Sequence, residues 1–209
     1  MAEVHLPVDA VVSASKACSR ETQWDTSAYD ALIARGWNVN QHLGHIGDAL
    51  ILAVGANKLP LVQYLLQHGA NPNANVRGET SSSLECAITA NASPEIVSLL
   101  LDHGAAVSNR STALLAASGG HFDLLKRLIS SGAGIDSIPD NEYVYDNARE
   151  QDDWGTPLHG AAGNSQVECV LWLLTAGTDR NVRNYRGLTP RDVAEKRGHI
   201  HCVELVNKL

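Results

Sequence analysis

Short apolar clusters of helical spacing recur along the chain, and five of them close in the same manner, on a glycine. They are Leu32-Ile33-Ala34-Arg35-Gly36, Leu65-Leu66-Gln67-His68-Gly69-Ala70 and Leu99-Leu100-Leu101-Asp102-His103-Gly104-Ala105. Leu128-Ile129-Ser130-Ser131-Gly132-Ala133 and Leu173-Leu174-Thr175-Ala176-Gly177 complete the set. A glycine in that place is free to take positive φ and end a helix. The polar stretches that follow, Asn38-Val39-Asn40, Asn71-Pro72-Asn73 and Asp179-Arg180-Asn181-Val182, have turn composition. These clusters are the second helices of their units, and the first helices start near Asp48, Ser82, Ser111, Thr156 and Thr189, each able to cap through its side-chain oxygen. Gly120-His121, Gly198-His199 and Ser93-Pro94-Glu95 mark the turns inside the pairs. The pattern therefore predicts helix pairs joined by polar turns.

Two octets set the register. Gly155-Thr156-Pro157-Leu158-His159-Gly160-Ala161-Ala162 matches T-P-L-H-x-A, and Gly187-Leu188-Thr189-Pro190-Arg191-Asp192-Val193-Ala194 follows about 33 residues later. On these residues the chain resembles the ankyrin-repeat family. The resemblance implies an all-α solenoid of helix-turn-helix units with β-turn fingers, about five to six units including caps. Four repeats look complete, with an N-terminal unit ending at Gly36 and a C-terminal unit stopping at Leu209. Residues 1–25 are expected to form a capping helix region and 26–209 a repeat domain, one domain overall. Within the cap, Pro7 to Cys18 suits an amphipathic helix that covers the first repeat with Val8, Val11, Val12 and Cys18. At the far end, Glu195, Lys196, Arg197 and Lys208 give the last pair a polar outside.

Departures from the repeat are where individuality lies. The finger from Gly104 to Ser111 is short, and the one from Gly132 to Thr156 is long. The excess forms an inserted acidic loop, 136–154. It carries Asp136, Asp140, Glu142, Asp146, Glu150, Asp152 and Asp153 against Arg149, a balance of -6 in a chain of net -7. Tyr143, Tyr145 and Trp154 within it are of the type favoured at contact surfaces. A second departure concerns the first helices, where Ile51, Glu85, Leu114, His159 and Asp192 occupy the position of the signature histidine. One turn on stand Gly55-Ala56, Thr89-Ala90, Ser118-Gly119 and Gly163-Asn164, which predict a concave groove with a small, partly apolar floor.

Composition narrows the function. Of 209 residues 44% are hydrophobic, enough for a substantial core. The four cysteines, Cys18, Cys86, Cys169 and Cys202, have no C-x-x-C spacing and suit a reducing compartment. No membrane-length apolar run is present and a secretory leader is not expected, so a cytoplasmic monomer is expected, with a nuclear location compatible. The negative balance argues against nucleic acid. No phosphate loop, hydrolase elbow or metal-ligand pair occurs, and neither cofactor nor metal is expected.

Among the nine histidines, His159 is expected to bond within its turn, whereas His42 and His45 lie on the first finger. Glu85 and His42 are the candidate acid/base residues. Glu85 has a second reading, as an acceptor for the backbone and hydroxyls of Ser81 to Ser83. Trp37, His42, His45, Arg77, Glu79, Glu85, Asn109, Arg110, Leu115, Tyr143, Tyr145, Trp154, Arg183, Tyr185 and Arg186 make up the candidate binding surface. The resemblance implies a non-catalytic protein that holds a protein partner or a hydrophobic small molecule. The rival is a cyclase or isomerase of a hydrophobic metabolite that uses the groove as a pocket.

Overall fold

The computed structural model describes residues 7–17, 25–44, 47–74, 82–107, 111–139 and 151–208. Among them are twelve helices: α1 (Val8–Ala17), α2 (Ser27–Ala34), α3 (Ala49–Gly55), α4 (Leu59–Gln67), α5 (Ser83–Thr89) and α6 (Pro94–Asp102), then α7 (Ser111–Ser118), α8 (Phe122–Ser130), α9 (Pro157–Gly163), α10 (Val167–Thr175), α11 (Pro190–Lys196) and α12 (Ile200–Lys208). The fold is all-α and solenoid-like, made of repeated helix pairs. Helices of seven to ten residues are too short to persist alone, so packing between pairs supplies their stability.

The starts of the first helices follow the capping chemistry. Asp48 accepts the Ile51 N–H at 2.9 Å, and Thr189 accepts the Asp192 N–H at 3.2 Å while the Asp192 carboxylate takes the Thr189 N–H. Ser82 and Glu85 form the same reciprocal box. Ser111 differs from expectation: it is the first residue of α7, inside the helix.

The chain divides into two compact units, Met1–Ala106 and Val107–Leu209. In the first, α1 packs on α2 and α3, α3 on α5, and α4 on α6. Helix α1 thus occupies the place of a first helix paired with α2. Its buried face differs from the expected one. Val11, Ala14 and Ser15 point inward, while Val8 is 39% exposed and Cys18 lies outside the described residues. The Ser15 hydroxyl meets the Tyr29 hydroxyl at 2.5 Å, which satisfies both buried polar groups, and Leu50, Leu65, Ile96 and Leu100 are among the unit's buried apolar side chains.

In the second unit α7, α9 and α11 stack in one layer, and α8, α10 and α12 in the other. Leu125, Leu128, Leu158, Leu173, Val193 and Cys202 fill the space between them. At Gly160, α9 lies close against α7. A Cβ there would collide with Ser118 Oγ and Leu114 Cδ1. Likewise a Cβ at Gly163 would meet the Asp153 and Val193 side chains. These small residues therefore admit neighbouring side chains.

Finger starts are linked by side-chain bonds across repeats. The Asn40 amide donates to the Gly69 carbonyl at 3.1 Å, and its oxygen accepts the Asn71 N–H at 2.7 Å. Asn73 repeats both bonds with the Gly104 carbonyl and the Ala106 N–H. In the second unit Asp136 takes the same place, four residues after its glycine, and accepts the Thr178 hydroxyl and the Asp179 N–H.

His159 bridges two repeats. Nδ1 accepts the Thr156 N–H at 3.1 Å, so the proton sits on Nε2, which donates to the Leu188 carbonyl at 2.9 Å. Burial pushes its pKa below the usual 6.5.

Candidate binding surface on the last repeat

The two flanks of the acidic insertion are held by the second unit's own bonds. At its start, Asp136 is fixed to Thr178 and Asp179, and the Tyr185 hydroxyl donates to the Pro139 carbonyl at 3.0 Å. At its end, Arg186 Nε and Lys196 Nζ reach the Asp152 carboxylate at 3.0 and 2.7 Å. Arg197 pairs with Asp153 at 2.9 Å, and Asn164 donates to the same carboxylate at 2.8 Å. The hydrogen bond from Lys196 is the main influence holding the Asp152 carboxyl below the usual carboxylate range. Lys196 and Arg197, expected as a polar cap, thus also anchor this segment. Residues 140–150 begin and end at these anchors, and lie outside the described residues.

Trp154 closes the segment. It is buried, packs on Leu114 and has the half-buried Leu115 beside it. Leu115 belongs to α7, which packs on α9. On the last finger, Tyr185 is 45% exposed and Arg183 is exposed, its Nη1 tied to the Gly187 carbonyl at 2.6 Å. The structure therefore brings Arg183, Tyr185, Arg186 and the insertion flanks together.

Within the first unit, Trp37 is 5% exposed and lies 5.5 Å from the Tyr29 ring, a packed position. His42 is exposed on the finger, and its Nδ1 accepts the Gly44 N–H at 3.2 Å. Glu85 is buried, with Oε2 accepting the Ser82 N–H at 2.9 Å and the Ser82 hydroxyl at 3.1 Å. That carboxylate serves as the reciprocal half of a helix cap. His45, Arg77, Glu79, Asn109, Arg110, Tyr143 and Tyr145 lie outside the described residues.

Reasoning from sequence missed a feature beside Arg183. Arg180, Arg183 and Arg191 line a polar hollow of about 400 Å³, together with Asn181, Asp192 and Asn207. The alternation of Arg180 and Arg183 along one finger was the available signal, since a three-residue step on a turn can place both on one side.

Reactive chemistry is sparse among the described residues. No three His, Cys, Asp or Glu side chains gather as a metal site, and no helix is long and apolar enough to cross a membrane. Burial raises the Cys169 thiol to about 11, far from a reactive thiolate.

Comparison with known proteins agrees with the architecture. The family model described as ankyrin repeats matches in three copies, at residues 16–111, 50–138 and 113–208. Alpha-latrocrustotoxin-Lt1a of Latrodectus tredecimguttatus is 26% identical over 153 residues, 73% of this chain and 8% of the toxin. Ankyrin repeat domain-containing protein 37 of Mus musculus is 34% identical over 84 residues, 40% of this chain and 46% of that protein. Protein glp-1 of Caenorhabditis elegans is 29% identical over 178 residues, 78% of this chain and 13% of its own length. The chain spans less than half the length of each of these relatives. With helix pairs, cross-repeat finger bonds and a family match over 16–208, the chain belongs to the ankyrin-repeat family.

Proposed function

We propose that this chain is a protein-binding module whose principal contact face is the last finger with the flanks of the acidic insertion. Ankyrin repeats are in general protein–protein interaction modules. The observation that carries the finer reading is the anchoring of both insertion flanks to one repeat, through Asp136, Pro139, Asp152 and Asp153. Fixing the flanks in advance lowers the entropic cost of binding at them, which favours a preassembled contact face. Exposed Tyr185 and Arg183 on the adjacent finger are of the two residue types enriched in interface hot spots.

The test compares the intact chain with a form lacking 140–150 and with Tyr185→Ala, each checked for folding by circular dichroism. Co-purifying protein, identified by mass spectrometry, should be retained by the intact chain and lost from both variants. Equal recovery from all three contradicts the assignment. A compact metabolite in place of a protein would favour a small-molecule function instead.

A further inference from the structure

Six positive charges of the last repeat fall into two sets. Arg186, Lys196 and Arg197 are spent on Asp152 and Asp153. Arg180, Arg183 and Arg191 instead surround the hollow of about 400 Å³, where Asp192 is the only carboxylate among the described lining residues. Arg180 Nη1 is tied to the Val206 carbonyl at 3.1 Å, and Arg183 Nη1 to the Gly187 carbonyl at 2.6 Å. Each backbone bond uses one of a guanidinium's five donors and fixes its plane, and the three guanidinium charges outnumber the one carboxylate, Asp192, in the described lining. Arg191 has a long pair with Glu195, 3.9 Å apart, weak at such exposure. Asp192 is engaged by the Thr189 N–H and hydroxyl, bonds that chiefly hold its carboxyl below the usual range, with the charges of Arg183 and Arg191 adding to them.

We propose that this hollow docks an acidic segment of a partner protein, whose Asp or Glu side chains enter between Arg180, Arg183 and Arg191. The inference rests on the protein-binding reading and adds the chemistry of the partner. Charge complementarity supports it, because guanidinium forks match carboxylates two bonds at a time. Asn181 and Asn207 supply both amide donors and acceptors at the same hollow, as an extended peptide backbone requires. The net charge of -7 on the chain opposes a long polyanion such as a nucleic acid, while a local cluster still favours a few carboxylates.

Fluorescence anisotropy with fluorescein-labelled hexaglutamate and the full chain at low salt tests this. The wild type should bind, and Arg183→Ala with Arg191→Ala should weaken binding at least about tenfold, as loss of a charged hydrogen-bonding pair does. Arg191→Ala alone, at a side chain whose ion pair to Glu195 is long, should weaken binding in the same direction. Lys126→Ala on α8 removes the same unit of charge elsewhere in the second unit and should change binding less than about twofold. Equal loss from Lys126→Ala, or no binding by the wild type, overturns the proposal. Tighter binding of a single-stranded oligonucleotide than of the peptide also overturns it. So does peptide binding seen only after Asp140, Glu142, Asp146 and Glu150 are neutralised, which would assign the hollow to the chain's own insertion. A co-purifying protein kept in spite of peptide failure would leave the protein-binding reading standing and remove only this one.

Discussion

His159 has both ring nitrogens committed, Nδ1 to the Thr156 N–H and Nε2 to the Leu188 carbonyl. Protonation would turn Nδ1 into a donor facing a donor. Its pKa is depressed in the fold by burial, so the unfolded chain takes up the proton first as pH falls. The bond's contribution is therefore complete above the usual 6.5 and is lost as pH drops toward the folded value. Denaturation at pH 7.5 and 5.5 should show a fall in stability limited to about 1.4 kcal/mol per pH unit for one proton. His159→Gln should flatten that fall; an unchanged slope would place the titration elsewhere. Glu85 is a second residue with a dual reading. Spacing from Ser82 made the cap legible in sequence, but burial and the bond to the Ser82 N–H decide it. Glu85→Gln, which keeps an acceptor oxygen, should cost well under the roughly 1 kcal/mol expected for Ser82→Ala, both measured by urea unfolding.

Among the elements, helix pairs were legible because glycine ends and polar caps are local signals. The insertion was legible only as excess length and acidity. Its start at 136 hid a repeat residue, since Asp136 does in the second unit what Asn40 and Asn73 do in the first. Carboxylate and amide differ in composition but share the accepting oxygen. Asp136→Asn should therefore be tolerated, whereas Asp136→Ala should cost about 1–3 kcal/mol by leaving the Thr178 and Asp179 donors unpaired. Equal loss from both would show that charge, and not the bond, is what counts. The opposite flank escaped sequence reading for a different reason. Lys196 and Arg197 lie far along the chain from Asp152 and Asp153, and packing alone brings them together. Trp154 had the composition of a contact residue, yet it fills the space beside Leu114. Trp154→Ala should destabilise the chain by about 3–5 kcal/mol in chemical unfolding, the usual cost of a large core truncation.

At the scale of the molecule, two compact units each carry a core of their own, and the acidic insertion belongs wholly to the second. Small residues suggested a groove floor in sequence because side-chain size is visible there and helix spacing is not. Of those residues, Gly163 lies against the Asp153 and Val193 side chains. What distinguishes this chain from a plain stack of repeats is the last finger, with anchored insertion flanks on it and an arginine-lined hollow beside it. Hydrogen exchange of the chain with and without its co-purifying protein addresses that directly. Slowed exchange should concentrate in 136–154 and 178–191, and slowing confined to residues 27–102, or none at all, would contradict a partner held on the last repeat.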